Sequence, residues 1–231
     1  MKTIIIGLGG SIIIPAPGRI DVRFLKKFRQ MILKFLKTGQ YRFIIVAGGG
    51  KTCRIYQKAA VNTVKTLPNI DADWLGIYAT RLNAQLLKTI FGKHAYPDII
   101  ENPTQRIKNK KWSLLLAAGW MPGWSTDYDA VLLAKRFGVN QIIDAGNIPF
   151  VYNKDYRRYK NTFPIKRLRW KEYRKLIGRQ WTPGMSAPID PIAAKYAEAA
   201  KIRAVVIMGT KLKNFENLLM NRPFVGTIIE F

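Results

Sequence analysis

The sequence predicts an α/β protein with a mainly parallel central sheet, and two observations support this fold class. Several short apolar runs have the length of strands, and amphipathic segments of helical period lie between them. The runs are nearly continuous Ile, Val and Leu, which is typical of strands covered on both faces. A chain of 231 residues that is 48% apolar is large enough for one sizeable core.

The predicted strands are the apolar runs themselves. In chain order they span residues 3–8, 43–47, 113–118, 141–145, 204–208 and 225–229. A strand followed by a helix and then another strand favours parallel pairing.

The predicted helices span residues 21–36, 73–91, 129–137 and 192–200. In the first of these, Val22, Leu25, Phe28 and Ile32 share one face, and lysines and arginines occupy the other. The last follows Asp190-Pro191, which is a strong helix start. Aspartate caps the free N–H groups, and proline at the first helical position needs no hydrogen-bond partner.

Three glycine-rich turns follow predicted strands. They are Gly7-Leu-Gly-Gly-Ser11, Gly48-Gly-Gly50 and the stretch from Gly119 to Asp127. A strand that runs through such a turn into a helix makes an anion site, because the backbone N–H groups and the helix N-terminus favour negative charge. Three such turns predict a phosphoryl-transfer enzyme that holds several phosphates at once.

Other phosphate-binding and catalytic motifs are missing. No G-K-[ST] follows the first glycines, and Gly7, Gly9 and Gly10 do not form the G-x-G-x-x-G pattern of dinucleotide-binding proteins. The chain has a single histidine, His94, which argues against a His-rich metal site and a Ser-His-Asp triad.

The chain is strongly basic, with 39 Lys+Arg, 14 Asp+Glu and a formal charge of +25. Nucleotides, RNA and anionic membranes are all suitable partners for such a charge, although a generally basic surface would look the same. Residues 154–179 mix basic side chains with aromatic ones. This segment either binds RNA by stacking and phosphate contacts or packs its aromatic rings inward beneath a basic surface.

The predicted compartment is the cytoplasm. Cys53 is the only cysteine, so no internal disulfide can form, and a reducing environment fits best. No apolar stretch reaches the length of about 18 residues that a transmembrane helix needs. We therefore expect no membrane association through a spanning helix.

The order of several motifs resembles the amino acid kinase family, and within it the branch of archaeal-type uridylate kinases. These motifs are G-L-G-G-S at 7–11, G-G-G-K-T-C-R at 48–54, D-W-L-G-I-Y-A-T-R-L-N at 73–83, P-G-W-S-T-D at 122–127, N-I-P-F-V-Y-N-K-D at 147–155 and D-P-I-A-A-K at 190–195. The resemblance covers nearly the whole chain. It implies one three-layer α/β/α sandwich over residues 1–231, with an acceptor lobe at 1–126 and an ATP lobe at 127–231.

The activity implied by the resemblance is transfer of the γ-phosphoryl group from ATP to UMP, with Mg2+ as cofactor. It also implies a homohexamer. The implied ATP-binding residues are Gly9, Gly10, Ser11, Gly50, Arg54, Gly146, Asn147, Tyr152 and Asp155. The implied UMP-binding residues are Gly49, Asp73, Trp120, Met121, Pro122, Gly123, Trp124, Ser125 and Thr126. No side chain is assigned to a metal.

The catalytic residues implied by the resemblance are Gly10, Ser11, Arg54 and Asp127. The two glycine-turn residues and the arginine would stabilise charge on the transferred phosphoryl group. The carboxylate of Asp73 would accept from the ribose hydroxyls of UMP. For both Asp73 and Asp127, a simple helix N-cap is the alternative interpretation.

The chain departs from its family at two places. Gly7 occupies a position where many relatives carry lysine, so the cation at the transferred phosphoryl group must come from Mg2+, Arg54 or a lysine such as Lys51. Pro149 and Phe150 replace Asp-Gly in the ATP loop, and Tyr156 replaces proline. Two alternatives to a UMP kinase therefore stay open: a sister kinase for another small acceptor, and a catalytically weakened nucleotide- or RNA-binding regulator.

Overall fold

A computed structural model describes residues 1–107, 111–154, 159–178 and 187–231. Within these residues the main sheet has seven strands in the order β3-β2-β1-β4-β8-β9-β7. These strands are β1 (Lys2–Leu8), β2 (Tyr41–Ala47), β3 (Leu114–Ala117), β4 (Gln141–Gly146), β7 (Arg167–Arg169), β8 (Arg203–Met208) and β9 (Thr227–Glu230), while β5 (Val151–Tyr152) and β6 (Pro164–Ile165) form a separate hairpin. Every predicted strand is present, with ends shifted by one or two residues.

The main sheet is parallel except where β9 runs antiparallel to β8. Strand β1 pairs with β2 on one side and with β4 on the other, and Gly7 is in register with Asp144. The carboxyl ends of β1, β2, β3 and β4 therefore meet at one edge of the sheet. This is the edge at which open α/β sheets bind ligands.

Helices cover both faces of the sheet. They are α1 (Gly10–Ile13), α2 (Val22–Lys37), α3 (Gly50–Thr63), α4 (Asn69–Phe91), α5 (Thr126–Arg136), α6 (Trp170–Ile177), α7 (Pro191–Ala199) and α8 (Leu212–Leu219), with a short 3-10 helix at Gly92–His94. Alternate residues of β1 enter different cores: Ile4 and Ile6 pack with α2 and α8, and Ile5 packs with α5 and α7. The molecule is therefore a three-layer α/β/α sandwich, as predicted.

Four of these helices were not predicted, namely α1, α3, α6 and α8. Helix α3 buries no side chain completely, so it lacks the apolar stripe that identifies a helix facing a core. Helix α1 is a single turn, and α6 and α8 are each only eight residues long. Short elements of this kind carry too few periodic positions to be recognised from sequence.

Two predicted helix starts were wrong. Helix α4 begins at Asn69 after Pro68, so Asp73 lies in its second turn and is not an N-cap. Helix α5 begins at Thr126 and is capped by Ser125, whose hydroxyl accepts from the N–H groups of Asp127 and Tyr128. The predicted start of α7 is confirmed, because Asp190 accepts from Ile192 N–H at 2.7 Å and from Ala193 N–H at 3.1 Å.

Candidate active site

The first two glycine-rich turns pack directly against each other. A Cβ atom added to Gly10 would lie 2.1 Å from the backbone N of Gly50 and 2.5 Å from the carbonyl O of Gly48. Gly50 itself has φ +67, a conformation that favours glycine. The turns therefore require glycine, and their contact brings the start of α1 beside the start of α3.

A large cleft of about 1020 Å³ opens at this edge of the sheet. It lies between the first turn, the end of β4, the β5 strand and the inner side of α6. Most of the residues predicted to bind ATP line it, namely Gly9, Gly10, Ser11, Arg54, Gly146, Asn147 and Tyr152. Gly50 lines the neighbouring pocket instead, and Asp155 lies outside the described residues.

A smaller pocket of about 260 Å³ lies between the starts of α3, α4 and α5. Of the residues predicted to bind UMP, those that line this pocket are Gly49, Asp73, Trp124, Ser125 and Thr126. The others, Trp120, Met121, Pro122 and Gly123, belong to the same loop but do not line the pocket.

The cleft and the smaller pocket share one set of lining residues. These are Gly10, Ser11, Lys51, Arg54, Thr126 and Asp127. The shared boundary carries two cationic side chains and the N–H groups at the start of a helical turn. Ligands in the two spaces would therefore meet beside positive charge, which suits a reaction between two phosphate groups.

Asp73 links helix α4 to the loop at residues 119–125, which encloses the smaller pocket. Its carboxylate accepts from the N–H of Gly123 at 2.7 Å, and Gly123 has φ +86. Burial raises the pKa of Asp73, while the hydrogen bond from Gly123 acts in the opposite direction. A second tie runs from the N–H of Gly119 to the hydroxyl of Thr80 at 2.8 Å. The loop that encloses the smaller pocket is thus held at both ends of its glycine-rich part.

Aromatic rings brace the same loop. Trp124 packs edge-to-face on Trp120, with ring centroids 5.0 Å apart, and on Tyr128 at 4.3 Å. Tyr128 in turn contacts Tyr196 of α7 at 5.3 Å. The Trp124 ring is therefore fixed from behind while it borders the smaller pocket.

Buried carboxyl groups gather beneath the shared boundary. Burial is the main cause that raises the pKa of Asp127, and the nearby Asp144 and Asp190 raise it further. Burial also raises the pKa of Asp144 and of Asp129 to about 8. Asp190 is held by the hydroxyl of Ser125 and by its helix-cap bonds. Neutral carboxyl groups are favoured here until a cation approaches.

Sequence reasoning missed Asp144 and Asp129. A signal was available for Asp144, because it is the only charged residue inside the apolar run 141–145. Asp129 gave no signal, since a carboxylate in the first turn of a helix is common. Asp129 accepts from the N–H of Trp120 at 3.2 Å through one oxygen, and its other oxygen is buried without a hydrogen-bond partner among the described residues.

The basic segment divides its aromatic rings between the core and the surface. Trp170 and Tyr173 are buried, and the Tyr173 hydroxyl donates to the carbonyl of Ile189 while accepting from its N–H. Tyr159 and Phe163 are exposed. The inward-packing interpretation is thus confirmed for the rings of α6, while Tyr156 lies outside the described residues.

Two further properties concern metals and membranes. Across residues 1–107, 111–154, 159–178 and 187–231, no group of three or more His, Cys, Asp or Glu side chains could hold a metal ion by itself. None of the helices in this part of the chain combines the length and the apolar character needed to span a bilayer.

Comparison with known proteins agrees with this architecture. The chain is 31% identical over 230 residues to a protein named uridylate kinase from Methanococcus aeolicus, with 98% of each chain covered. It is also 31% identical to a uridylate kinase from Methanoregula boonei, over 95% of this chain and 92% of that one. The crystal structure of uridylate kinase from Archaeoglobus fulgidus superposes with a TM-score of 0.80 at 28% identity, covering 99% of this chain and 100% of that chain.

A family comparison reaches the same result independently. The model of the amino acid kinase family matches residues 2–208. That span contains all three glycine-rich turns, the smaller pocket and every residue that lines the cleft except Thr210. The chain therefore belongs to the amino acid kinase family.

Proposed function

We propose that the chain is a UMP kinase, which transfers the γ-phosphoryl group of ATP to UMP and yields ADP and UDP. The observation that carries this proposal is the shared boundary between a large cleft and a smaller pocket at Gly10, Ser11, Lys51 and Arg54. The full-length similarity to proteins named uridylate kinase supports the same substrate pair.

ATP occupies the large cleft in this proposal, and UMP occupies the smaller pocket. Asn147 and Tyr152 contact the adenine nucleotide, and the predicted ATP-binding residue Asp155 lies outside the described residues. Asp73 accepts from the ribose of UMP, and Trp124 offers its ring to the base. Residues 1–126 thus form the acceptor lobe and residues 127–231 the ATP lobe.

In the chemical step, an oxygen of the UMP phosphate attacks the γ-phosphorus of ATP. The bond from that phosphorus to the oxygen bridging the β-phosphate breaks, and ADP leaves. Lys51 and Arg54 stabilise the negative charge that spreads over the transferred group, together with the N–H groups of Gly10 and Ser11. Asp127, which lines both spaces, orients the reacting groups.

Mg2+ accompanies ATP in this proposal. When bound, the ion neutralises charge on the phosphates and prefers oxygen ligands, with one or two carboxylates joining the phosphate oxygens. Asp127 and Asp144 line the cleft and supply that ligand type. The residues present therefore fit the ion.

The proposed function is tested by measuring coupled ADP release with ATP and Mg2+ while UMP, CMP, dCMP and isopentenyl phosphate are offered in turn. We expect turnover with UMP, and a loss of about 10²-fold or more in Arg54→Ala because a charged contact to the transferred group is removed. Lys58→Ala is the matched control, since Lys58 is exposed on the same helix and lines neither space. Absence of turnover with every acceptor would contradict the proposal.

We further propose a cytoplasmic homo-oligomer, a hexamer as the family resemblance implies. Its support is a set of exposed apolar side chains along α3 and α4, namely Ile55, Tyr56, Val61, Ile70, Tyr78 and Leu82. A second copy of the chain is the occupant we propose for this face. Light scattering on Leu82→Glu should show a smaller particle than the unmodified protein, and an unchanged mass would exclude this face.

RNA binding by the basic segment remains a prediction. Its support is the exposure of the Tyr159 and Phe163 rings among exposed basic residues. Fluorescence anisotropy with a single-stranded RNA should give binding that falls steeply as salt rises, and salt-independent or absent binding would exclude it.

A further inference from the structure

Asp144 is the strongest unexplained group in the cleft. It stands at the carboxyl end of β4 and is 8% exposed, yet it lines the cleft in which ATP is proposed to bind. No side chain or N–H group in the described part of the chain donates a hydrogen bond to its carboxylate, and burial alone accounts for its shifted pKa. A carboxylate that is mostly buried and opens only into a ligand cleft is placed to receive a cation or a hydrogen-bond donor from the ligand side.

The neighbouring strand offers no compensation. Gly7 is in register with Asp144 on β1, and it has no side chain that could pair with the carboxylate. Asp127 lines the same cleft and is itself an acid, and the interaction with Asp144 raises the pKa of Asp127. Burial is the main cause of the raised pKa of both carboxyl groups, and no cation of the described residues is among the causes that lower either pKa.

The cleft is lined by equal numbers of basic and acidic side chains, although the whole chain is strongly basic. The chain has a formal charge of +25, but the charged residues described along the cleft are three cations and three acids. They are Lys51, Arg54 and Lys154 against Asp21, Asp127 and Asp144. A triphosphate in this cleft would lie close to both Asp127 and Asp144. A divalent cation between the phosphates and these carboxylates removes that repulsion.

We propose that Asp144, with Asp127, directly ligates the divalent cation that enters with the nucleoside triphosphate. The remaining ligands come from phosphate oxygens and water, which is the usual composition of a Mg2+ site. This inference rests on the proposed function only in taking ATP as the occupant of the cleft. It assigns to Asp144 a metal-binding role, distinct from the phosphate contacts of Lys51 and Arg54.

The test uses Mn2+ as a spectroscopic probe and the β,γ-imido analogue of ATP, without any acceptor. Titration followed by electron paramagnetic resonance gives the affinity of Mn2+ for the protein–nucleotide complex. We expect Asp144→Asn to weaken that affinity by about tenfold or more, as loss of a metal-site group does. Binding of the metal-free nucleotide should be unchanged or tighter, because the amide cannot ionise and so cannot repel the phosphates.

Asp129→Asn is the matched control. Asp129 is also a buried aspartate, but it lines neither the cleft nor the smaller pocket. Its replacement should leave the affinity for Mn2+ unchanged. Equal Mn2+ affinity in Asp144→Asn and the unmodified protein would overturn the proposal, and would assign Asp144 a role as a neutral hydrogen-bond donor instead.

A second variant tests direct contact with the ion. In a Cys53→Ser background, Asp144→Cys places a thiolate at the site, and Cd2+ with the nucleotide analogue should produce ultraviolet sulfur-to-metal charge-transfer absorption. The Cys53→Ser protein alone should lack this absorption, and its absence from the double variant would also overturn the proposal. Failure of the proposed function would appear differently, as intact metal–nucleotide binding without phosphoryl transfer to UMP.

Discussion

Gly10→Ala is the substitution that most directly probes how the site is assembled. The added Cβ would lie 2.1 Å from the backbone N of Gly50 and 2.5 Å from the carbonyl O of Gly48, against ordinary contacts of about 3.4–4 Å. Both neighbours are backbone atoms, so no side-chain rotation can relieve the overlap. The two glycine-rich turns must separate by about 1 Å, and α1 must move away from α3.

The expected magnitude follows from this overlap. Overpacking a tight contact costs about 1–3 kcal/mol, and an overlap confined to backbone atoms belongs at the upper end of that range. For a chain of this size, a loss of about 3 kcal/mol lowers the melting temperature by roughly 6–12 °C. A displacement of about 1 Å among catalytic groups costs about 10²-fold in rate, so kcat/KM for UMP should fall by that factor.

The assay combines thermal unfolding by circular dichroism with steady-state ADP release. Gly7→Ala is the matched control, because the only atom near its added Cβ is the carbonyl O of Ile143 at 3.8 Å. We expect this control to keep the melting temperature within about 2 °C and the activity within about threefold. If Gly10→Ala behaves like Gly7→Ala, the described packing of the turns is wrong.

Three further predictions concern single side chains. Asp73→Asn should raise the KM for UMP and leave the KM for ATP near its original value. In the unmodified protein, the KM for UMP should rise on acidification at a higher pH than for an ordinary aspartate, because burial raises the pKa of Asp73. The protonated carboxyl group is a weaker acceptor and cannot accept from two ribose hydroxyls as the carboxylate does. A KM for UMP that does not respond would exclude this contact. Tyr173→Phe should lower the free energy of unfolding, measured by denaturant titration, by about 2–5 kcal/mol, because the N–H and the carbonyl of Ile189 both lose a hydrogen bond. Tyr159→Phe is the control, since Tyr159 is exposed, and it should change the free energy of unfolding little. Equal effects of the two substitutions would contradict this prediction. Lys51→Met should lower kcat by about 10²-fold with little change in the KM values, because the lysine charge stabilises the transferred phosphoryl group in the transition state. A raised KM for ATP with an unchanged kcat would instead assign Lys51 to ground-state binding of ATP.

Sequence reasoning found the central sheet because buried parallel strands carry an unusually clear pattern. Strands β1, β2 and β4 are continuous apolar runs, and each ends at a glycine or at the residue before it. Helices were harder to predict from the sequence where none of their faces is buried in the core. Helix α3 presents its side chains to the two ligand spaces and to solvent, so no apolar stripe reveals it.

The candidate site was predictable at its turns and less so at its acids. Glycine spacing identified the turn at 7–11 and the turn at 48–50, because close backbone approach demands glycine there. A helix N-cap was the alternative interpretation for Asp73 and Asp127, but neither residue is an N-cap and both line the smaller pocket. Asp144 could not be placed from sequence alone, because its neighbour Gly7 is distant in the chain and adjacent only through strand pairing.

In the proposed function, two substrates meet at the boundary shared by the cleft and the smaller pocket. The most direct test is inhibition by a single compound in which adenosine and uridine are joined through a chain of five phosphates. We expect competition with both ATP and UMP, and weaker inhibition in Arg54→Ala than in Lys58→Ala, because Arg54 lines both spaces and Lys58 lines neither. Competition with ATP alone would contradict it, since the uridine end would then lie outside the smaller pocket.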